Sequence, residues 1–144
     1  MKYRVIIMGF WIMREIRFRA WDNLEKRMRK VVSLHWQGDK LVSAKLEGEN
    51  EPIPIEGRLV IEQFTGLSDK NGVEICAGDI LKSKIYGKTF TRKIIYCPRL
   101  ASFGVEARIG KIFHYTISEL WQLQVSILKV VGNAHEEPEL LEEK

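Results

Sequence analysis

The chain has 144 residues, 45% of them hydrophobic and 29% charged, which excludes a disordered polymer and suits one folded domain or two very small lobes. The formal net charge is +4, but five glutamates and one lysine fall in Glu136–Lys144, leaving 22 basic against 14 acidic residues, a net +8, over Met1–His135. A basic body with an acidic tail suits an anionic partner, nucleic acid before others, and that tail also suits the basic surface of its own or a neighbouring chain.

The chain opens MKYRVIIMGFWIM, an apolar run too short to span a membrane and not followed by a small-residue cleavage site. Residues 1–12 read as an extension, either an added strand or a segment outside the core fold. Left exposed, VIIMGFWI is an aggregation hazard, so it is expected to pack on something, a second copy of the chain included. Residues 14–21 alternate, with Ile16, Phe18 and Ala20 on one face and Arg17, Arg19 and Trp21 on the other, the pattern of a half-buried strand. Asp22-Asn23 turns, Met28–Trp36 is a second strand, and Gln37-Gly38-Asp39-Lys40 is a hairpin turn into Leu41–Leu46.

Glu47–Arg58 is polar and turn-rich, with Pro52 and Pro54 holding it extended. It is the candidate sub-boundary within a domain over 13–141, ahead of the acidic tail end at 142–144. Strands are predicted over Leu59–Phe64, Asp79–Tyr86, Phe90–Tyr96, Phe103–Ile109 and Val125–Val131. Ile117–Leu123 carries weak signals of a short helix, and Pro138-Glu139-Leu140-Leu141 reads as a last helical turn. Short strands at hairpin spacing argue an all-β, barrel-like domain of small, bent antiparallel sheets.

The stretch FTGLSDKNGVEICAGDIL, residues 64–81, is the densest in turn signals. Asp69 is placed to accept a backbone N–H two residues on, Asn71 tolerates the bridge or left-handed region, and Gly72 suits the left-handed position of a bulge. Gly66, Gly78 and Asp79 complete a set of structural turn residues, so 61–67 and 73–76 are expected to pair. A calcium loop fails here, because position five from Asp69 is Val73 and position twelve is Ile80 rather than glutamate. A phosphate loop fails too, since neither glycine-rich template is present.

The same stretch resembles the signature of the YopX family, small proteins encoded by phages and prophages. Arg14–Asp22 is similar to that family's opening strand, and Val131–Leu141 to its ending. Cys76-Ala77 and Ala134-His135 depart from the pattern. The resemblance implies a β-rich fold with small SH3-like barrel character, and it brings no catalytic residues.

No cofactor is expected. The cysteines, Cys76 and Cys97, are expected to be reduced and buried, and with His35, His114 and His135 they have no metal-ligand spacing, so no metal site is expected. No nucleophile motif is present, and an enzyme is not expected. The suggestive surface is cationic: Arg14, Arg17, Arg19, Lys26, Arg27, Arg29 and Lys30 lie within one stretch of the N-terminal region. Arg17 and Arg19 beside Trp21 have the chemistry to hold phosphates while an indole stacks on a base; the alternative is a solvated strand face. Lys82 and Lys84, with Lys88, Arg92 and Lys93, span a predicted hairpin that would extend such a groove. Three readings follow: a nucleic-acid-binding accessory protein; a protein-binding module or inhibitor of a host factor, a host defence component included, with homo-oligomers possible; and a protein that sequesters a nucleotide. All place the chain in the cytoplasm of a bacterial host, away from membranes.

Overall fold

Hairpins dominate because the turn residues alternate with short β-branched and aromatic runs. The computed structural model describes residues 5–8, 11–85, 87–106 and 128–141. The predicted helix at Ile117–Leu123, residue 86, the ends of the strands predicted at 103–109 and 125–131, and the tail end at 142–144 lie outside the described residues. The fold is all-β, built from antiparallel pairs, and ends in a 3-10 turn at Pro138–Leu141. Among the described residues no sheet closes into a barrel.

Two compact units are present: Ile16–Phe64, and Thr65–Lys144 with Met1–Glu15. In the second, β1 (Val5–Met8) and β2 (Trp11–Arg14) pair as a hairpin, with Ile7 opposite Ile12. The first unit holds β3 (Phe18–Asp22), β4 (Arg27–Gln37), β5 (Lys40–Leu46), β6 (Ile53–Pro54) and the start of β7 (Leu59–Ser68), in the order β6-β5-β4-β3-β7. The stretch Glu47–Arg58 lies inside this unit. Its Pro54 sits in the two-residue edge strand, where the missing N–H costs no ladder bond. Register slips in the β4–β5 pair between Val31 and Ser33 and again between His35 and Trp36. Val32 and Trp36, at these irregularities, stand more than half exposed. Ala20, Ala44, Leu46, Ile53 and Leu59 form this unit's core.

The predicted strand 14–21 is broken. Residues 15–17 carry no strand, and Ile16, expected to face inward, is 57% exposed. The strand resumes at Phe18, where it is hydrogen-bonded on both sides, to β4 and to β7. Ala20, Trp21 and Asp22 are buried in succession rather than alternately, with Trp21 flanked in register by Met28 and Val60.

In the second unit the last residues of β7 neighbour β8 (Glu74–Cys76), where the Thr65 hydroxyl donates to the Ile75 carbonyl at 2.7 Å. The main sheet contains β9 (Asp79–Ile85), β10 (Lys88–Cys97), β11 (Ser102–Val105) and β12 (Lys129–Asn133), in the order β11-β10-β9-β12. One face of it packs a core of Leu81, Ile94 and Val105 with Ile75 and Leu128, joined by Phe103 and Val130.

Candidate functional site

A strand's side chains alternate faces, so the register of β9 with β10 and β12 fixes what lies opposite this core. Lys82 stands directly across from Lys129 on one side and Thr91 on the other. Lys84 lies across from Thr89, and Lys93 across from Ile80. All share one face, because Lys82 and Lys84 alternate with the buried Leu81 and Ser83. Lys82, Lys84, Thr89 and Lys129 are exposed, while Thr91 and Lys93 are half-buried. Sheet geometry sets such neighbours about 5 Å apart across strands and about 7 Å apart along them. No ion pair links any of the four lysines to a carboxylate among the described residues. Like charges directly opposite in a sheet repel, and among the described residues no paired carboxylate offsets the positive charge of this face.

Lys88 and Arg92, grouped with these lysines on sequence, fall on the other parity with Phe90 and Ile94. The Arg92 guanidinium lies 5.3 Å from the centre of the Phe90 ring. Lys129 was not singled out from the sequence at all. It lies on a distant strand, and only the non-local pairing of β12 with β9 reveals it.

The N-terminal cations are arranged differently. Arg19 bonds Glu62 at 2.8 and 2.9 Å. Arg29, buried, meets Asp22 at 3.4 Å and Glu49 at 2.7 Å. Arg27 pairs with Glu25 at 2.6 Å and Lys30 with Glu47 at 3.3 Å. The Arg17 guanidinium lies over the Phe64 ring, 4.6 Å from its centre, and Lys26 is exposed in the turn. Trp21 is 6% exposed, and its Nε1–H donates to Asn23 Oδ1 at 3.1 Å. Its faces are covered, so the expected stack of a base on Trp21 between Arg17 and Arg19 has no room. Arg19 and Arg29 are thus held by carboxylates within the fold, while Lys26, Arg27 and Lys30 stand exposed.

Asp22 is the centre of that cluster. Fully buried, it accepts two bonds from Arg58, at 3.2 and 3.0 Å, and the N–H groups of Leu24 and Glu25. The Arg58 bonds hold its carboxyl well below the ordinary carboxylate range against the opposing effect of burial, and the backbone donors help. Glu49 first, then Glu25 and Asp22, push the Arg29 guanidinium further up, and Asp22 does the same for Arg58.

The turn residues of the 64–81 stretch are placed by backbone bonds. Asp69 Oδ1 accepts from the N–H groups of Asn71 and Val73 at 2.8 and 2.9 Å. Gly72 donates to the Asp69 carbonyl at 3.0 Å. Gly66 is buried in β7, Gly78 donates to the Ile94 carbonyl at 2.8 Å, and Asp79 Oδ2 accepts from the Cys76 N–H at 2.8 Å. Cys76 and Cys97 are free and buried. His35 is exposed, with Nε2 3.0 Å from the Ser33 hydroxyl, and His135 N–H donates to Asn133 Oδ1 at 3.0 Å. His114 lies outside the described residues. Among the described residues, no group of three or more His, Cys, Asp or Glu is placed to hold a metal ion, and no helix is long and apolar enough to cross a membrane.

The family model for "YopX protein" matches residues 17–142. The chain belongs to the YopX family. No curated protein matches this YopX-family chain. Among solved structures it is similar to protein EF1440 from Enterococcus faecalis, with 30% identity and a TM-score of 0.64 over 89% of this chain and 99% of that one.

Proposed function

We propose that this YopX-family protein is a phage- or prophage-encoded, non-enzymatic accessory protein that acts in the bacterial cytoplasm and binds nucleic acid through the β9–β10–β12 face. One observation carries the reading: Lys82 and Lys129 stand side by side in register, with Lys84 and Lys93 on the same face and no carboxylate among the described residues paired to any of them. A phosphate backbone supplies the missing counter-charge, and the hydroxyls of Thr89 and Thr91 between the lysines add donors for phosphate oxygens.

Fluorescence anisotropy with labelled duplex and single-stranded oligonucleotides tests it between 50 and 200 mM salt. Four phosphate contacts predict a slope of log K against log salt of about −3 to −4, with single strands at the shallow end. The double variant Lys82→Glu, Lys84→Glu is expected to lose about tenfold or more in affinity at low salt. No binding at 50 mM salt, or a slope near zero, sinks the reading.

A second reading has its own observation. Trp36 is 57% exposed and Val32, on the same strand, 58%, an apolar pair of the kind that anchors a protein partner. Here the chain is a protein-binding module or an inhibitor of a host factor. A stoichiometric partner pulled from nuclease-treated host lysate, lost in Trp36→Ser, supports it; the same capture by Trp36→Ser argues against it.

A further inference from the structure

We propose that Asp69 is a positioning residue for the lysine face, acting through β12 to keep Lys129 beside Lys82; this rests on the nucleic-acid reading above. Asp69 is 3% exposed, and its two oxygens are divided between two tasks. Oδ1 closes the turn through the N–H groups of Asn71 and Val73. Oδ2 accepts from the N–H of Val130, 2.9 Å away and 61 residues further along the chain. The Lys70 N–H adds a bond to the Leu128 carbonyl at 3.2 Å. The hairpin turn thus grips β12 on both sides of Lys129, on the edge that β9 does not reach.

The irregularity in β12 makes this grip necessary. At the far end of the strand, Asn133 faces Asp79 and Ala134 donates to the Gly78 carbonyl at 2.8 Å. Between that end and Lys129 the register shifts from Val130 to Gly132. A bulge absorbs one residue of slack, so anchoring Asn133 does not dictate which β9 residue Lys129 meets. A slip by one residue sends the side chain to the opposite face. Asp69, bonded one residue after Lys129, removes that freedom.

Asp69→Asn is nearly the same shape and keeps one oxygen. That oxygen serves the turn or Val130, and the amide then turns a donor toward the other set of N–H groups. The expected result is oligonucleotide affinity reduced to the level of Lys129→Ala, with the salt slope shallower by about one phosphate contact. The double variant Asp69→Asn, Lys129→Ala is expected to bind no more weakly than either single variant, because both remove the same contact. Folded Asp69→Asn with wild-type affinity and slope, or losses that multiply in the double variant, overturns the inference. A wild-type chain that binds no oligonucleotide ends the functional reading itself. If Asp69→Asn does not fold, amide exchange of the wild-type chain decides. The Val130, Asn71 and Val73 amides are expected to open with one common protection, raised together by a bound oligonucleotide; separate opening overturns the proposal.

Discussion

Asp22 exposes no surface, yet it keeps its charge, because Arg58 meets it with two bonds and Arg29 with a third. A carboxylate whose folded pKa is depressed stabilises the fold above its unfolded value, here near 3.8, and that contribution drains away as pH falls toward the folded value. Urea unfolding is therefore expected to give constant stability between about pH 6 and 4.5 and a progressive loss below about pH 4. Asp22→Ala leaves the buried Arg29 guanidinium short of a partner and is expected to cost about 3 kcal/mol at neutral pH. The same variant flattens the acid limb. A wild-type limb that stays flat to pH 2.5 would contradict this account of Asp22.

At the scale of elements, the turn of residues 69–72 offers the cleanest single substitution. Gly72 has φ +79°, and a methyl group added there meets nothing within 4 Å. Gly72→Ala therefore loses only the cost of the left-handed backbone, about 1 kcal/mol by thermal or urea melting, with oligonucleotide binding preserved. The hairpins were legible in the sequence for the same local reason: a turn at Gly38 and another at Asp69–Gly72 each need only neighbouring residues. Most of the described strands and the last 3-10 turn were legible, from apolar runs between turn signals and from Pro138, but the break at residues 15–17 and the short strand at Ile53–Pro54 were not. The candidate site was legible only in part: Lys82, Lys84 and Lys93 stood out as one cationic hairpin, but the Lys88 and Arg92 grouped with them fall on the other face. Seven cations near the N-terminus looked like a binding face, but the carboxylate that meets Arg19 comes from Glu62, 43 residues away, and the one that meets Arg29 at 2.7 Å from Glu49, 20 residues away. Trp21 alternates like an outward residue and is buried, with Met28 and Val60, both from other strands, as its cross-strand neighbours. Lys129 acquires its meaning only from the register that places it across from Lys82. Local patterns report turns and strands; which charges cancel is decided by pairings between distant strands.

At the scale of the whole molecule, the described residues form two cores, and none of those residues belongs to both. Leu46 is completely buried in one and Ile94 in the other. Truncating either to alanine is expected to cost about 2–5 kcal/mol. Because the clusters share no member, Leu46→Ala and Ile94→Ala are expected to add within about 0.5 kcal/mol in the double variant. Equilibrium unfolding of the three variants measures this, and a larger coupling would show that the cores act as one.

The pairing of β12 with β9 also has a consequence in time. A ribosome delivers β9 well before β12, and until residues 129–133 emerge one edge of β9 has no partner. At about 5–20 residues per second the nascent chain carries that open row of N–H and carbonyl groups for roughly 2–10 s. Lys82 and Lys84 project from the strand throughout, and two like charges on an unpaired edge repel a second nascent chain that would add there. The lysines that give the finished molecule its charged face thus also guard the unfinished one against pairing with its copies.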